Sequence, residues 1–419
     1  MADVFSAIVV AFLLLTLLLK VWLANRQIRH VAAHAVAVPA QFADRIGLDA
    51  HRKAAAYTIV RQKLGLWEEL VDAALLVTLT LLGGLQLLAA GLAGALGQGF
   101  GFQLALVAAV AVLSALVGLP FSWYRQFRVE AQFGFNRMSL GLWVSDHFKG
   151  ALLAAVLGLP ILAVVLALME QAGRLWWLYA WLAWIGFNAL VLVLYPTLIA
   201  PLFNKFEPLR DESLAARLHA LLARTGFASR GLFVMDGSRR SSHGNAYFTG
   251  LGQAKRIVFF DTLIERLLPQ EVEAVLAHEL GHFKLRHIGK RLAFSFALSL
   301  ALLALLGWLA NQAWFYRGLG VEPSLTGSND GMALVLFFLV LPVFGFAAAP
   351  LASLLSRRQE FEADAFAAHH ACAQDLASAL VKLYEDNAAT LTPDPLHSAF
   401  YDSHPPAALR IGRLLPAAS

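Results

Sequence analysis

The sequence predicts a mainly α-helical integral membrane protein with seven transmembrane helices and a polar α+β domain on one side of the bilayer. Of its 419 residues, 59% are hydrophobic and only 15% carry a charge, which lies outside the usual range of soluble domains. Seven apolar stretches reach the roughly 20 residues that a helix needs to cross a bilayer. Lys and Arg cluster between these stretches, as orientation in a membrane requires.

The seven stretches divide the chain into four parts. We expect transmembrane helices at about residues 4–24, 70–91, 102–123, 151–169, 175–196, 292–310 and 332–355. The first five and their connections occupy 1–196, a polar segment occupies 197–291, spans six and seven occupy 292–355, and a second polar segment occupies 356–419. Because the hairpin of spans six and seven returns the chain to the same face, we expect the two polar segments to pack together.

Basic residues set the expected orientation. Seven Lys and Arg residues lie between 25 and 69, whereas residues 92–101 contain none. The first connection is therefore expected in the cytoplasm, which places the N-terminus outside and both polar segments and the C-terminus inside. The Ala- and Leu-rich composition suggests a GC-rich bacterium, and hence its inner membrane. We expect a monomer, and nothing in the charge pattern indicates nucleic-acid binding.

The polar segments carry signs of both helix and strand. The first contains an amphipathic helix near 211–225, two strand-like runs at 231–235 and 256–260, and a helix at 269–283. The second is helical with a proline-rich loop. The single cysteine, Cys372, can form neither an internal disulfide nor a cysteine-based zinc site alone.

The segment AVLAHELGHFKLRH, residues 274–287, carries most of the chemical information. Positions i and i+4 of a helix share a face, so His278 and His282 can direct two imidazoles at one point with Glu279 beside them. This spacing is typical of zinc peptidases, in which the histidines bind the metal and the glutamate is the general base. With 13 histidines in the chain, about 0.01 chance matches are expected. The alternative is a charged surface turn.

A catalytic zinc ion takes three protein ligands, so a third one is required. His287 follows His282 by five residues, about 140 degrees round a helix, and does not continue the metzincin pattern; we expect it on the polar face or behind a ligand. In SRRQEFEADAFAAHH, Glu360 and Asp364 share a helical face, whereas Glu362 lies about 200 degrees from Glu360. We expect Glu360 to be the third ligand and Asp364 to orient a ligand histidine. The alternative is a solvated helix whose acids balance neighbouring arginines.

Longer motifs along nearly the whole chain resemble the integral-membrane CAAX prenyl protease type 1 family of zinc endopeptidases. They are HRKAAAYTIVRQKLG, EAQFGFNRMS, APLFNKFEPL, RSSHGNAYFTG, the HELGH helix, SRRQEFEADAFA and SHPPAALRIGRL. The resemblance implies one zinc ion per chain, bound by His278, His282 and Glu360, with Glu279 as general base. It also implies a helical barrel around an intramembrane chamber, with a zincin-type α+β metalloprotease domain on the cytoplasmic side.

Two further groups of residues take their expected roles from this resemblance. It implies that Asn245, Ala246 and Tyr247 lie on an edge strand that pairs with the backbone of an extended substrate. It also implies that His404 and Arg410 contact either the scissile carbonyl or the terminal carboxylate of the peptide.

Both assignments have structural alternatives. The segment GNAYFTG is equally typical of an ordinary hairpin strand. Ser403 can cap a helix that Pro405 opens, which would leave His404 and Arg410 with structural roles.

The predicted activity is hydrolysis of peptide bonds in membrane-associated or lipidated substrates. A seven-helix transporter with a structural metal is the main non-enzymatic rival, but transport sites place ionisable residues inside spans, and the predicted spans contain almost none. The intact motif also disfavours an inactive scaffold. The resemblance implies a prenylated CAAX peptide that loses its last three residues. Quality-control cleavage of membrane proteins without any prenyl group is the alternative, since prenylated substrates are unexpected in a bacterium.

Overall fold

Helices dominate the computed structural model, which describes residues 1–249, 256–325 and 327–415. The helices are α1 Ala2–His34, α2 Leu48–Leu79, α3 Gly84–Leu96, α4 Phe100–Tyr124, α5 Leu140–Gln171, α6 Trp176–Leu194, α7 Ala200–Phe203, α8 Glu212–Arg224, α9 Asp261–Arg266, α10 Pro269–Lys284, α11 His287–Leu309, α12 Ala313–Arg317, α13 Asp330–Gly345, α14 Ala349–His370, α15 Ala373–Asp386, α16 Pro395–Tyr401 and α17 Ala407–Leu414. The strands are β1 Phe206–Pro208, β2 Leu232–Met235, β3 Ala246–Thr249 and β4 Arg256–Phe260. The last four residues of the second predicted polar segment, 416–419, lie outside the described residues.

Six helical runs in the described part of the chain are long and apolar enough to cross a membrane. They are 2–34, 100–130, 140–171, 173–203, 287–309 and 330–370. The bent pair of α2 and α3 is a seventh candidate if its two helices count as one span. All the predicted spans except 70–91 lie within these runs, apart from the single residue 310. The prediction of a mainly helical membrane protein is therefore confirmed, with six to seven candidate spans.

The predicted span at 70–91 contains a bend. The chain turns between α2 and α3, and the two axes bend by 58°. Gly83 has a φ of 76°, in the left-handed region that glycine enters without steric cost. A β carbon on Gly84 would lie 2.6 Å from the carbonyl oxygen of Thr78, so this turn requires glycine there. Hydropathy does not reveal the turn because both helices are apolar.

The helices continue beyond the apolar stretches into the segments that were predicted to be connections. In the predicted connection 25–69, α1 extends to His34 and α2 begins at Leu48. After α4, a π-helical stretch continues the helix to Glu130. Lys and Arg are good helix formers, so a basic segment at the end of an apolar helix does not interrupt it.

A small mixed sheet lies in the polar segment that follows α7. Its strand order is β1-β2-β4-β3, with β2 and β4 parallel and the other two pairs antiparallel. The predicted strands at 231–235 and 256–260 correspond to β2 and β4, and the predicted helices at 211–225 and 269–283 correspond to α8 and α10. The sequence did not predict β1. Because β3 pairs only with β4, it lies at an edge of the described sheet.

The two polar segments share one hydrophobic core. Most of its buried members come from α8, the sheet, α10, α15 and α17, and include Leu218, Phe259, Leu276, Leu376 and Ile411. Burying a side chain of this size stabilises a fold by about 1.5–3 kcal/mol. Neither segment contains this core alone, so the two segments pack together as expected. The boundaries drawn from the sequence at 196, 291 and 355 stay a prediction.

The polar domain contacts the helix ends that carry the basic residues. Arg26, near the end of α1, forms an ion pair of 2.8 Å with Asp394. The backbone N–H of Arg137, between α4 and α5, donates to the carbonyl of Arg240 at 3.1 Å. The basic segments around 25–47 and 125–139 and the polar domain therefore lie at the same end of the helical bundle.

The carboxylate of Glu271 fixes the start of α10, the helix that carries the HELGH motif. One oxygen accepts the backbone N–H of Leu268 and lies 2.7 Å from Lys382 Nζ, and the other accepts from Ser378 Oγ. Burial raises the pKa of Glu271, but the ammonium of Lys382 and the other donors lower it more, so the pKa lies below its ordinary value of 4.5.

We expect Glu271→Gln to lower the free energy of unfolding by about 1–2 kcal/mol at neutral pH. Because the folded pKa is the lower one, the contribution of Glu271 is present above the unfolded pKa and is lost as the pH falls through the folded pKa. Thermal inactivation of the protein in detergent at pH 7.5 and near pH 4 measures this, and the difference should shrink at the acidic pH. Glu212→Gln removes an exposed carboxylate from the first turn of α8 and should change little. Equal midpoint temperatures of thermal inactivation for Glu271→Gln and the wild type at pH 7.5 would contradict the prediction.

Candidate active site

Two helices that are distant in sequence meet at the centre of the polar domain. One is α10, which carries HELGH, and the other is α14, which carries the acidic segment. A β carbon on Gly281 would lie 2.9 Å from the Cα atom of Ala363, so the glycine of the motif allows the two backbones to approach closely. This close approach brings the side chains of both helices within reach of one ion.

Three potential metal ligands converge between these helices. One ligand atom from each of His278, His282 and Glu360 lies within 4.8 Å of the other two. The Nε2 atoms of His278 and His282 lie 3.4 and 3.3 Å from the two carboxylate oxygens of Glu360. The buried Oε2 atom of Glu360 accepts no well-aligned hydrogen bond from the described residues, although His404 Nδ1 lies 2.7 Å away. Two imidazole nitrogens and a carboxylate oxygen left for a further partner fit a divalent cation such as zinc.

A buried ion pair holds the other side of His278. Its Nδ1 atom lies 2.9 Å from Oδ1 of Asp364. Arg410 donates two hydrogen bonds to the same carboxylate, at 2.6 and 2.8 Å. Burial lowers the pKa of His278, but Asp364 and Glu360 raise it more, to about 9. Asp364 thus contacts the imidazole of a candidate ligand, which fixes the direction of its Nε2 atom.

A cavity of about 320 Å³ opens beside His278, one of the three candidate ligands. Glu279 and His278 form part of its wall, together with Asn245, Ala246 and His404. Burial raises the pKa of Glu279, so its carboxylate has a higher proton affinity than an exposed glutamate. The rest of the wall is largely apolar and includes Leu263, Val275, Leu376, Leu380 and Leu383. The cavity therefore combines an apolar surface with a carboxylate next to the candidate ligands.

The predicted substrate-binding strand is at the sheet edge, but its three residues are placed differently. Asn245 and Ala246 line the cavity, and the Asn245 carbonyl accepts the N–H of Phe260 at 2.9 Å. The hydroxyl of Tyr247 contacts the sulfur of Met235 at 3.8 Å, and its side chain is not part of the cavity wall. Asn245 precedes β3, whereas Ala246 and Tyr247 are successive residues within it. Successive side chains of a strand point to opposite faces of the sheet, so Tyr247 points away from the face that Ala246 presents to the cavity. The segment is both a hairpin strand, paired with β4, and an edge strand.

His404 and Arg410 lie at the site but in different environments. The side chain of His404 is 61% exposed, and its Nδ1 atom lies 2.7 Å from Glu360 Oε2. Arg410 is 5% exposed, and two of its nitrogens are occupied by Asp364. The third, Nη1, lies 3.9 Å from Glu360 Oε2. Both side chains line the cavity. His404 is exposed enough to contact a molecule bound there, whereas Arg410 is mainly part of a buried ion pair.

The alternative in which Ser403 caps a helix opened by Pro405 is wrong. Helix α17 begins at Ala407 with Pro406 in the cap position, and no side chain in the described part of the chain caps its N-terminus. His404 lies in the non-helical segment before it.

The sequence did not reveal a hydrogen-bond network that holds the segment leading into β3. Tyr57 donates to Glu130 at 2.6 Å, His243 Nε2 lies 3.5 Å from the same carboxylate, and His243 Nδ1 lies 2.9 Å from Asn387 Oδ1. Asn387 also lines the cavity. Three of the motifs quoted above contain one member each of this network, namely Tyr57, Glu130 and His243. The spacing of residues within a motif does not show which distant motifs contact each other.

Known proteins match both parts of this architecture. Residues 27–205 match the CAAX prenyl protease N-terminal family, which has five membrane helices, and residues 208–418 match peptidase family M48. The CAAX prenyl protease 1 homolog of Arabidopsis thaliana is 39% identical over 317 residues, which cover 74% of this chain and 72% of the relative. The homolog of Mus musculus is 31% identical, covering 94% and 92%.

The crystal structure of S. mikatae Ste24p has the same fold. It superimposes with a TM-score of 0.92 at 30% sequence identity, covering 98% of this chain and 99% of that chain. The similarity extends over the membrane helices as well as the polar domain, and it confirms the predicted family. The chain therefore belongs to the CAAX prenyl protease 1 family of M48 peptidases and is an integral, multi-pass membrane metalloendopeptidase.

Proposed function

We propose that the protein is a zinc-dependent endopeptidase that cleaves membrane-associated or lipidated peptides at the cytoplasmic face of the bilayer. The observation that carries this proposal is the convergence of His278, His282 and Glu360 beside Glu279. Two histidines and a carboxylate are a ligand set of catalytic zinc sites, which keep a fourth position open. When bound, zinc supplies Lewis acidity and an activated water molecule.

Glu279 is the proposed general base and acid. It takes a proton from the attacking water and later delivers it to the nitrogen of the leaving amine. Its raised pKa favours the first of these transfers, because a stronger base removes a proton more readily. Its position in the wall of the same cavity as His278 puts the carboxylate on the side from which a peptide must enter.

The remaining site residues orient the ligands and the substrate carbonyl. Asp364 and Arg410 form a buried pair that fixes the ring of His278, and we assign both a positioning role. His404 is proposed to donate a hydrogen bond to the carbonyl oxygen of the scissile bond as negative charge develops there. Loss of such a donor costs about 3 kcal/mol in other hydrolases.

The edge strand supports a peptide-binding mode. A substrate in extended conformation can add to the edge of the sheet at β3 and run past Asn245 and Ala246 towards the ligands. A second cavity, of about 500 Å³, lies among apolar side chains of α4, α5, α6, α11 and α13. We propose that such intramembrane cavities belong to a chamber that receives the hydrophobic part of the substrate.

The orientation follows from charge and contact together. Basic segments at helix ends favour the cytoplasmic side, and two of them contact the polar domain through Arg26 and Arg137. The active site and the C-terminus are therefore proposed to be cytoplasmic, with the N-terminus outside. One polypeptide supplies all the proposed ligands, which is consistent with a monomer.

A pair of matched substrates tests the proposed specificity. Purified protein in proteoliposomes is given one peptide with a C-terminal CAAX sequence, either farnesylated or unmodified, and release of the last three residues is followed by mass spectrometry. We expect kcat/KM to be at least about tenfold higher for the farnesylated peptide, because about 0.8 kcal/mol per buried CH₂ favours its partition into the membrane. Phenanthroline should stop the reaction. Equal cleavage of both peptides would favour the quality-control alternative, and no cleavage by zinc-loaded protein would contradict the proposal.

A further inference from the structure

A third histidine lies behind one of the proposed metal ligands. His282 directs Nε2 towards Glu360, and its other ring nitrogen, Nδ1, lies 3.0 Å from Nδ1 of His287. The far nitrogen of His287, Nε2, lies 3.0 Å from Oε2 of Glu362. His287 is 1% exposed, whereas the side chain of Glu362 is 39% exposed. The contacts form a continuous chain from a candidate ligand to a carboxylate at the surface.

A break in the helix creates this contact. On an unbroken helix His287 would lie about 140 degrees from His282 and could not reach it. Instead α10 ends at Lys284, and Arg286 has a φ of 57° and a ψ of 31°, in the left-handed region. A non-glycine residue in this region is uncommon, because its β carbon crowds the backbone. The turn brings the imidazole of His287 back against that of His282.

The chemistry of the ligand fixes the direction of each hydrogen bond. A histidine that binds a metal through Nε2 is neutral and carries its hydrogen on Nδ1, so His282 must donate and His287 Nδ1 must accept. The neutral ring of His287 then carries its hydrogen on Nε2 and donates it to Glu362. An ionised carboxylate only accepts, so Glu362 allows this direction and disfavours the reverse one.

We propose that His287 and Glu362 are positioning residues that hold His282 in the tautomer and ring orientation required for metal binding. The inference rests on the proposed function, since it takes His282 as a ligand. The two ligand histidines are then held by different means. His278 contacts the carboxylate of Asp364 directly at 2.9 Å, whereas His282 is joined to Glu362 through a second imidazole. Substitution of such partners typically weakens metal binding about 10–100-fold.

We call the chain of contacts from His282 through His287 to Glu362 the relay. Zinc affinity, measured without any peptide substrate, tests it. Purified wild type and variants compete for Zn²⁺ with a chromophoric chelator. We expect His287→Leu to raise the Kd for Zn²⁺ about 10–100-fold. His287→Asn should lose less than about tenfold, because its amide oxygen can accept from His282 near the position of Nδ1. If His287 only filled space, Leu would be tolerated better than Asn, and this opposite ranking would overturn the proposal.

The surface end of the relay gives an independent test that does not disturb the core. Glu362→Leu should raise the Kd about tenfold in the wild type but cause no further change in His287→Leu, since the two act in series. Arg358→Gln is the control, because Arg358 contacts the other oxygen of Glu362 at 3.1 Å and is 79% exposed; it should leave the Kd within about twofold. Wild-type affinity in both His287→Leu and Glu362→Leu would overturn the relay alone. A wild type that binds no zinc would instead overturn the proposed function, and the relay with it.

Discussion

Replacing Glu279 with glutamine is expected to abolish peptide hydrolysis while zinc remains bound. Glutamine has nearly the same shape but cannot take a proton from water, and general acid–base catalysis contributes about 10²–10⁴ to the rate. Glu279 is not among the three converging ligands, so the metal content should not change. A fluorogenic peptide assay and metal analysis of the same sample measure the two quantities.

The control for this substitution is Glu212→Gln, which makes the same chemical change on the exposed face of α8. It should retain wild-type kcat. Substantial turnover by zinc-loaded Glu279→Gln would show that another group transfers the proton. Loss of zinc from Glu279→Gln would instead mean that the glutamate helps to hold the ion.

Replacing Glu360 with glutamine is expected to remove both zinc and activity. The carboxylate faces the Nε2 atoms of both ligand histidines, and a neutral amide oxygen is a much weaker ligand for a divalent cation. With two imidazoles left, kcat/KM should fall by more than about 10³, a loss of roughly 4 kcal/mol or more in transition-state stabilisation. Metal analysis after dialysis, together with the peptide assay, measures the outcome.

The matched control for Glu360→Gln is Glu322→Gln, which removes an exposed carboxylate paired with Arg317. It should bind zinc and cleave peptide as the wild type does. If Glu360→Gln kept one zinc ion per chain, the third ligand would have to be another residue. His404, whose Nδ1 atom lies 2.7 Å from the Glu360 carboxylate, would be the first to test.

The central part of the site was predictable because it depends on helix periodicity. The spacing of His278 and His282, and of Glu360 and Asp364, is i to i+4, which puts each pair on one face whatever the surroundings. The same periodicity placed Glu360 and Glu362 on different faces of their helix. It did not show that the two helices meet, which depends on the small residues Gly281 and Ala363 and on the hairpin between them.

Features that depend on departures from regular structure were not predictable in this way. The bend at Gly83 lies within an apolar stretch, where hydropathy is the same before and after it. The angle of about 140 degrees between His282 and His287 assumed an unbroken helix. The left-handed turn at Arg286 interrupts the helix, so that angle does not apply. The side chain of Tyr247 points away from the cavity because side chains alternate along a strand, although its motif had suggested a common role with Asn245 and Ala246.

The separation of the ligands along the chain has a consequence for biosynthesis. The HELGH helix α10 precedes the last two candidate membrane spans, 287–309 and 330–370, and Glu360 lies near the end of the second. A ribosome that has synthesised only about the first 300 residues has made both histidines but not Glu360, the third proposed ligand. With the proposed ligand set, the site is therefore complete only after the final apolar hairpin has been synthesised, so an unfinished polypeptide cannot yet hydrolyse peptide bonds.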